Sequence, residues 1–148
     1  MTVLYSKGMA QTVEKSDGAV LNGSDDLFTI TGGPILVTDL VGIVTTVIGG
    51  AANCHLDMVV TEPAGTVPMS TDVAINTDAA GCSYTFTAVA LPVLTPVDAG
   101  AVVNYATAQW LCPIGTIKAH CSAAQTGNIK WYLSYVMLSQ YSTVVAAA

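Results

Sequence analysis

The chain contains no arginine, four lysines and two histidines among its 148 residues. Charged side chains make up 9% of it, against about 25% in an ordinary soluble domain. Lys7, Lys15, Lys118 and Lys130 cannot form a basic groove, and a net charge of −6 repels phosphate. Nucleic acid is therefore excluded as a main partner, because neutralising phosphates takes many Lys and Arg side chains. Disorder is excluded too, since a hydrophobic share of 52% is the reverse of the polar, highly charged composition of unfolded segments. Long apolar runs are missing. The most apolar stretch, residues 35–52, is broken by Thr38, Asp39, Gly42, Thr45, Thr46, Gly49 and Gly50. That does not suit a spanning helix of about 20 apolar residues. The first eight residues lack a basic flank followed by an apolar block, so the expectation is a protein made and folded in a cytoplasm. The motifs GxSxG, GxxxxGK[ST], HExxH and GxGxxG do not occur, and no enzymatic activity is expected.

Cysteine is sparse: Cys54, Cys82, Cys112 and Cys121. Four cysteines allow three pairings and the spacing selects none. A cytoplasmic origin favours free, buried thiols. A zinc site from Cys112, His120 and Cys121 with Cys54 or His55 would lack any CxxC or HxxxH spacing. No metal and no cofactor are expected.

What the chain has in quantity is β-branched residues. Val, Ile and Thr together account for 45 of 148, and no window carries a 3.6-residue apolar period. Alternating or β-branched runs fall at residues 27–31, 35–38, 41–48, 54–60, 73–75, 82–88, 101–107, 114–120, 128–136 and 143–146. Within 82–88, Cys82, Tyr84, Phe86 and Ala88 point one way and Ser83, Thr85 and Thr87 the other, as in a half-buried antiparallel strand. Pro92 and Pro96 mark an edge strand or a loop. Residues 114–120 and 128–136 read as the arms of a hairpin turning across 123–127, with Ile129, Trp131, Leu133 and Tyr135 on one face. Short strands with turns every 8–12 residues predict an all-β antiparallel sandwich or barrel, of jelly-roll or tulip-like type. Residues 27–148 form this single β domain. Residues 1–26 hold no period and read as an extended N-terminal arm, or else a frayed terminus. Val3, Leu4 and Tyr5 would be the arm's apolar anchor on a neighbouring subunit.

Few residues suggest chemistry. His120 and Cys121 are adjacent on a strand and so face opposite ways, which rules out a Cys–His catalytic pair. His55 and Asp57 share the polar side of one strand and are expected to hydrogen-bond. Asp25, Asp26, Glu62, Asp72, Asp78 and Asp98 fall at expected loops, where turn formation and capping are the ordinary roles. No DxDxDG pattern accompanies them. Trp131 belongs with the core, while Trp110 in Gln109-Trp110-Leu111-Cys112-Pro113 suits either core or a partner contact.

One stretch is more particular. Gly127-Asn128-Ile129-Lys130-Trp131, running on to Tyr135-Val136-Met137-Leu138 and then Thr143-Val144-Val145, resembles the C-terminal end of capsid decoration (cement) proteins of tailed bacteriophages. Their pattern is Thr-Gly-x-Ile-x-Trp, a Tyr-x-Pro-Leu turn and a final Thr-Val-Val. Met137 stands where that pattern has proline. Residues 23–28 and 31–35 are similar to the same group. The resemblance implies a β-built homotrimer on the outer capsid surface of the virion, with the major capsid protein and itself as partners and no membrane contact. Arms reaching across capsomer boundaries would clamp the head against DNA pressure. The competing expectation is a small carbohydrate- or receptor-binding β-sandwich module, such as a phage fibre or tail component.

Overall fold

Alternating β-branched and polar residues favour extended backbone. The computed structural model describes residues 10–87, 93–97 and 109–148, and no helix occurs among them. The strands are β1 (Ala10–Val20), β2 (Gly23–Thr31), β3 (Ile35–Thr46), β4 (Ala51–Val60), β5 (Gly65–Pro68), β6 (Val73–Asn76), β7 (Ser83–Thr87), β8 (Val93–Val97), β9 (Trp110–Cys112), β10 (Gly115–Cys121), β11 (Gln125–Met137) and β12 (Thr143–Ala146). They build two antiparallel sheets packed on each other as a β-sandwich, as the composition predicted. The first sheet runs β1-β11-β3-β7-β8, with β9 also paired to β3. In the second, β4 pairs with β10, β5 and β6, and β12 pairs with β2. A parallel bridge between Asn22 and Cys121 sets β2 alongside β10.

The core is the inward face of both sheets. From β11 it takes Ile129, Trp131, Leu133 and Tyr135, all buried at period two. From the second sheet come Phe28, Ile30, Leu56, Met58, Ile117 and Val144. On β3 the inward residues are Ile35 and Val37, then Leu40 and Val44, which is not a clean alternation. The reason is a bulge: Ser134 pairs with Asp39 but Tyr135 pairs with Val37, so Thr38 is an extra residue. A bulge resets the side-chain phase and bends the strand. It makes one continuous strand of what read as two runs, 35–38 and 41–48.

Other expectations are corrected. Residues 10–26 are not an arm, because β1 pairs with β11 from Ala10↔Val136 to Val20↔Gln125 and β2 begins at Gly23. The inward positions of β1 are Val13, Lys15, Gly18 and Val20, only two of them bulky and apolar. Register shifts between Lys15 and Gly18 and between Gly18 and Val20 break their alternation, so no apolar period marks the strand. Val3, Leu4 and Tyr5 lie outside the described residues, as do residues 101–107 and Asp98. Nor do β10 and β11 form a hairpin. The first pairs with β4 and the second with β1 and β3, so the short link after Cys121 carries the chain from one sheet to the other. Both strands have an inward apolar face, and facing sheets satisfy that pattern as well as a hairpin does. Ser83 and Thr85 are buried together with Tyr84 and Phe86, so β7 is covered on both faces over these residues. Pro96 reads as an edge or a loop, and β8, which holds it, lies at the sheet edge among the described residues, while Pro92 lies outside them.

The edge strand β1 carries a device against unwanted pairing. Lys15 points inward and is buried, donating from Nζ to the carbonyl of Ala147 at 2.9 Å and pairing with Asp17 at 3.1 Å. An inward charge beside bulges is a common guard on an exposed edge. Here it also ties β1 to the chain just beyond β12, closing one side of the sandwich.

The loop after β6 holds Thr77 at φ 56°. A left-handed backbone crowds a β-branched side chain, while asparagine tolerates it. Thr77 is exposed, so Thr77→Asn is expected to raise the unfolding free energy by about 0.5–1 kcal/mol. A denaturant midpoint that stays put or falls contradicts this.

Candidate interaction surface

Two groups of residues outside the core stand out, one polar and one apolar. The polar group lies on the outer face of the second sheet, where β4 and β10 pair in register. Cys54 meets Cys121 and His55 meets His120. Alternation sends the cysteines inward and the histidines outward. The cysteines form a disulfide with Cα atoms 4.1 Å apart. That corrects the expectation of four free thiols, and it breaks up the ligand set of a zinc site from Cys112, His120 and Cys121. The register places the two side chains directly opposite each other, a juxtaposition that the spacing of the cysteines in the sequence does not reveal. Cys82 and Cys112 are buried and take no part in a disulfide, as expected.

Around the histidines the partners are all internal. His55 Nε2 lies 3.2 Å from Asp57 and its Nδ1 2.6 Å from Asp72. The His55–Asp57 contact was legible in the sequence. The Asp72 contact was not, because it depends on where the chain enters β6. His120 lies with its ring 5.0 Å from that of His55 and shares a hydrogen bond with Ser24 Oγ at 3.1 Å. Lys118 pairs with Asp26 at 2.9 Å. Ser24 and Asp26 come from β2, so this network stitches β2, β10, β4 and the approach to β6 together. Among the described residues no group of three or more His, Cys, Asp or Glu side chains is placed to hold a metal ion. Asp25 and Asp26 lie in β2 rather than in a loop. Asp25 accepts the Ala19 N–H at 3.0 Å, yet burial holds its carboxyl above the usual range.

Tyr84 and Cys112 show the same physics of burial. Tyr84 donates its hydroxyl to Asp78 at 2.6 Å, and burial together with that carboxylate pushes its proton affinity up. Burial alone pushes the Cys112 thiol up to about 12. Since only a thiolate is nucleophilic, Cys112 is expected to resist alkylation at pH 8 in the folded protein and to react once the chain is unfolded. Labelling of Cys112 at equal rates with and without denaturant contradicts this.

The apolar group sits at one end of the sandwich. Trp110 is half-buried, with its ring 4.7 Å from that of Phe86 in an edge-on contact, and its backbone pairs with Val37. Trp110 therefore packs on the core. The next residue, Leu111, points the opposite way and is 68% exposed. Beyond it Pro34, Thr61, Glu62, Pro113 and Ile114 line a groove of about 300 Å³. Thr61 N–H donates to the Ile114 carbonyl, and Leu138 N–H and Ser142 Oγ both donate to the Pro34 carbonyl. These bonds gather the turns after β2, β4, β9 and β11 into one surface. Leu138 and Tyr141, both exposed, lie on the last of those turns. The sequence placed Trp110 as a candidate contact but missed its neighbours, because exposure of a leucine beside a proline is set by where the strand ends.

No family model matches the chain, no curated protein matches it, and no solved structure matches it.

Proposed function

We propose that this protein is a capsid decoration protein, a non-enzymatic structural component that binds the outer surface of a tailed-phage head and stabilises it. The observation that carries the reading is the C-terminal resemblance, and its place in the fold is consistent with it. The residues concerned form β11, which lies between β1 and β3 at the centre of the core, and β12. A rigid sandwich with little charge and one apolar end suits a protein whose surface is taken up by other subunits. The polar clusters support the same view, since their side chains satisfy each other across strands and leave the sheet stiff.

In this reading each subunit offers weak contacts to the major capsid protein, and a symmetric oligomer adds them into a tight clamp. Residues 1–9, which carry Val3, Leu4 and Tyr5, supply the contact to a neighbour, and Trp110 supports the apolar end from beneath. The reading is tested by protein mass spectrometry of purified virions of the phage that encodes the chain. The expected result is this chain in a fixed ratio to the major capsid protein, released from heads rather than tails. A chain found only in infected-cell lysate, or only with tails, contradicts it.

A further inference from the structure

Asn22 lies between β1 and β2 and belongs to neither strand. It is exposed, and its backbone meets that of Cys121 in a single isolated bridge. It is also the one asparagine followed by glycine: Asn53, Asn76, Asn104 and Asn128 precede Cys54, Thr77, Tyr105 and Ile129. That order matters chemically. A backbone nitrogen can attack the carboxamide carbon of the asparagine before it, and the side chain on the attacking residue hinders the approach. Gly23 has no side chain, and a Cβ placed there would meet nothing within 4 Å, so its neighbours do not crowd it either. Its φ of 107° is a conformation that other residues rarely adopt. The other described asparagines are held in place. The Thr77 N–H that would attack Asn76 donates to the Gly50 carbonyl at 3.3 Å, and Asn128 Nδ2 donates to the Ser16 carbonyl at 3.1 Å. Asn53 lies within β4, paired with Ala74 on one side and hydrogen-bonded through its N–H and its carbonyl to Ser122 on the other.

We propose that Asn22 is a site of spontaneous covalent modification in the folded protein. The Gly23 nitrogen bonds to Asn22 Cγ, and the Cγ–Nδ2 bond breaks. Nδ2 leaves as ammonia, taking up the proton that Gly23 loses, and a succinimide ring is closed. Water then opens the ring. Attack at the side-chain carbonyl gives an ordinary aspartate at position 22. Attack at the main-chain carbonyl gives isoaspartate, in which the chain runs on through the side-chain carboxyl carbon. No reactant besides water is needed. Either product adds a negative charge close in sequence to Asp25 and Asp26. Isoaspartate does more, because it lengthens the main chain by one methylene at the residue that bridges to Cys121. Just beyond lie the contacts of Ser24 with His120 and of Asp26 with Lys118, which hold β2 against β10. The extra methylene therefore loosens the seam between these two strands. The reaction needs no partner, so its outcome is independent of the decoration reading.

The test is ageing of the purified full chain in warm, mildly alkaline buffer. Peptide mass spectrometry locates the conversion, enzymatic methylation counts isoaspartate, and thermal unfolding reads the effect. Conversion should be complete at Asn22 before it is detectable at any other asparagine. It should run faster as the pH is raised, because the attacking nitrogen must lose its proton. Chains carrying isoaspartate should melt about 3–5 °C lower, the shift expected from loss of one backbone hydrogen bond in a chain of this size. Asn22→Gln, whose longer side chain would have to close a larger ring, should age without that loss. Asn22→Asp adds the charge without the methylene and should melt with the unaltered chain. If Asn22 stays intact in the folded chain while it converts in urea, the proposal is overturned, because the fold then keeps Gly23 out of reach. So is it by conversion that leaves the midpoint unchanged, or by an equal fall in aged Asn22→Gln or in fresh Asn22→Asp. Mapping of the unaltered chain decides where conversion occurs even if a variant fails to fold.

Discussion

Trp131→Ala should lower the unfolding free energy by about 3–5 kcal/mol, the range for removing a buried tryptophan. The ring is held by a site shaped for it. Trp131 pairs directly with Gly42 on β3, where a Cβ would stand 2.7 Å from the indole Cζ3. On the other side is Gly18 of β1, where a Cβ would meet Trp131 Cδ1 at 2.7 Å and the Ile129 carbonyl at 2.5 Å. Tyr84 stacks on the ring from β7 at 6.3 Å between centroids. Two glycines on the flanking strands thus give the indole room to lie over the sheet. Alanine at 131 removes the ring and enlarges a small cavity of about 20 Å³ that Ala19, Cys54, Tyr84 and Trp131 already line. Gly42→Ala attacks the same site from the other side. Overpacking of this kind costs about 1–3 kcal/mol. In the double variant the added methyl no longer meets a ring, so the combined loss should be smaller than the sum. Equilibrium denaturation of the three variants checks this. A loss below about 1 kcal/mol for Trp131→Ala, or strict additivity, contradicts it.

The second large effect is that of the disulfide. Cys54 and Cys121 are 67 residues apart in sequence, and the chain-entropy account gives about 4 kcal/mol for closing a loop of that size. The bridge also staples β4 to β10 beneath the His55–His120 pair. Replacing both cysteines by serine should therefore remove about 3–5 kcal/mol and lower the thermal midpoint by well over ten degrees. The chemical state is checked separately. Unfolded without reductant, the protein should expose two titratable thiols, from Cys82 and Cys112, and with reductant four. Four thiols without reductant would show that the bridge is absent.

Much of the fold was legible because the residues that specify it act locally. Trp131 and its period-two neighbours on β11, Pro96 at an edge and Thr143-Val144-Val145 as a last strand all depend on side chains a few positions apart. What was not legible depends on pairing between distant strands. Cys54-His55 and His120-Cys121 are mirror-image dipeptides, which is what antiparallel partners in register look like. That signal has meaning only once β4 and β10 are known to be neighbours. Lys15 gave no sign of being buried, because its partner is a backbone carbonyl 132 residues away. The bulges at Thr38 and around Gly18 break the alternation on which strand reading relies, and the second of them hides β1 within the expected arm of residues 1–26. On the apolar end, Trp110 was singled out by type alone, whereas Leu111, Pro113 and Ile114 acquire their meaning from the turns that assemble around Pro34.

The central claim is that this chain coats a phage head, and co-sedimentation tests it most directly. Expanded heads of the encoding phage, assembled without this protein, are mixed with increasing amounts of the purified chain and pelleted. The predicted result is saturable binding at a fixed number of copies per capsomer, together with heads that withstand higher temperature once coated. Chain that stays in the supernatant at all concentrations, or heads no more stable with it than without it, would contradict the account.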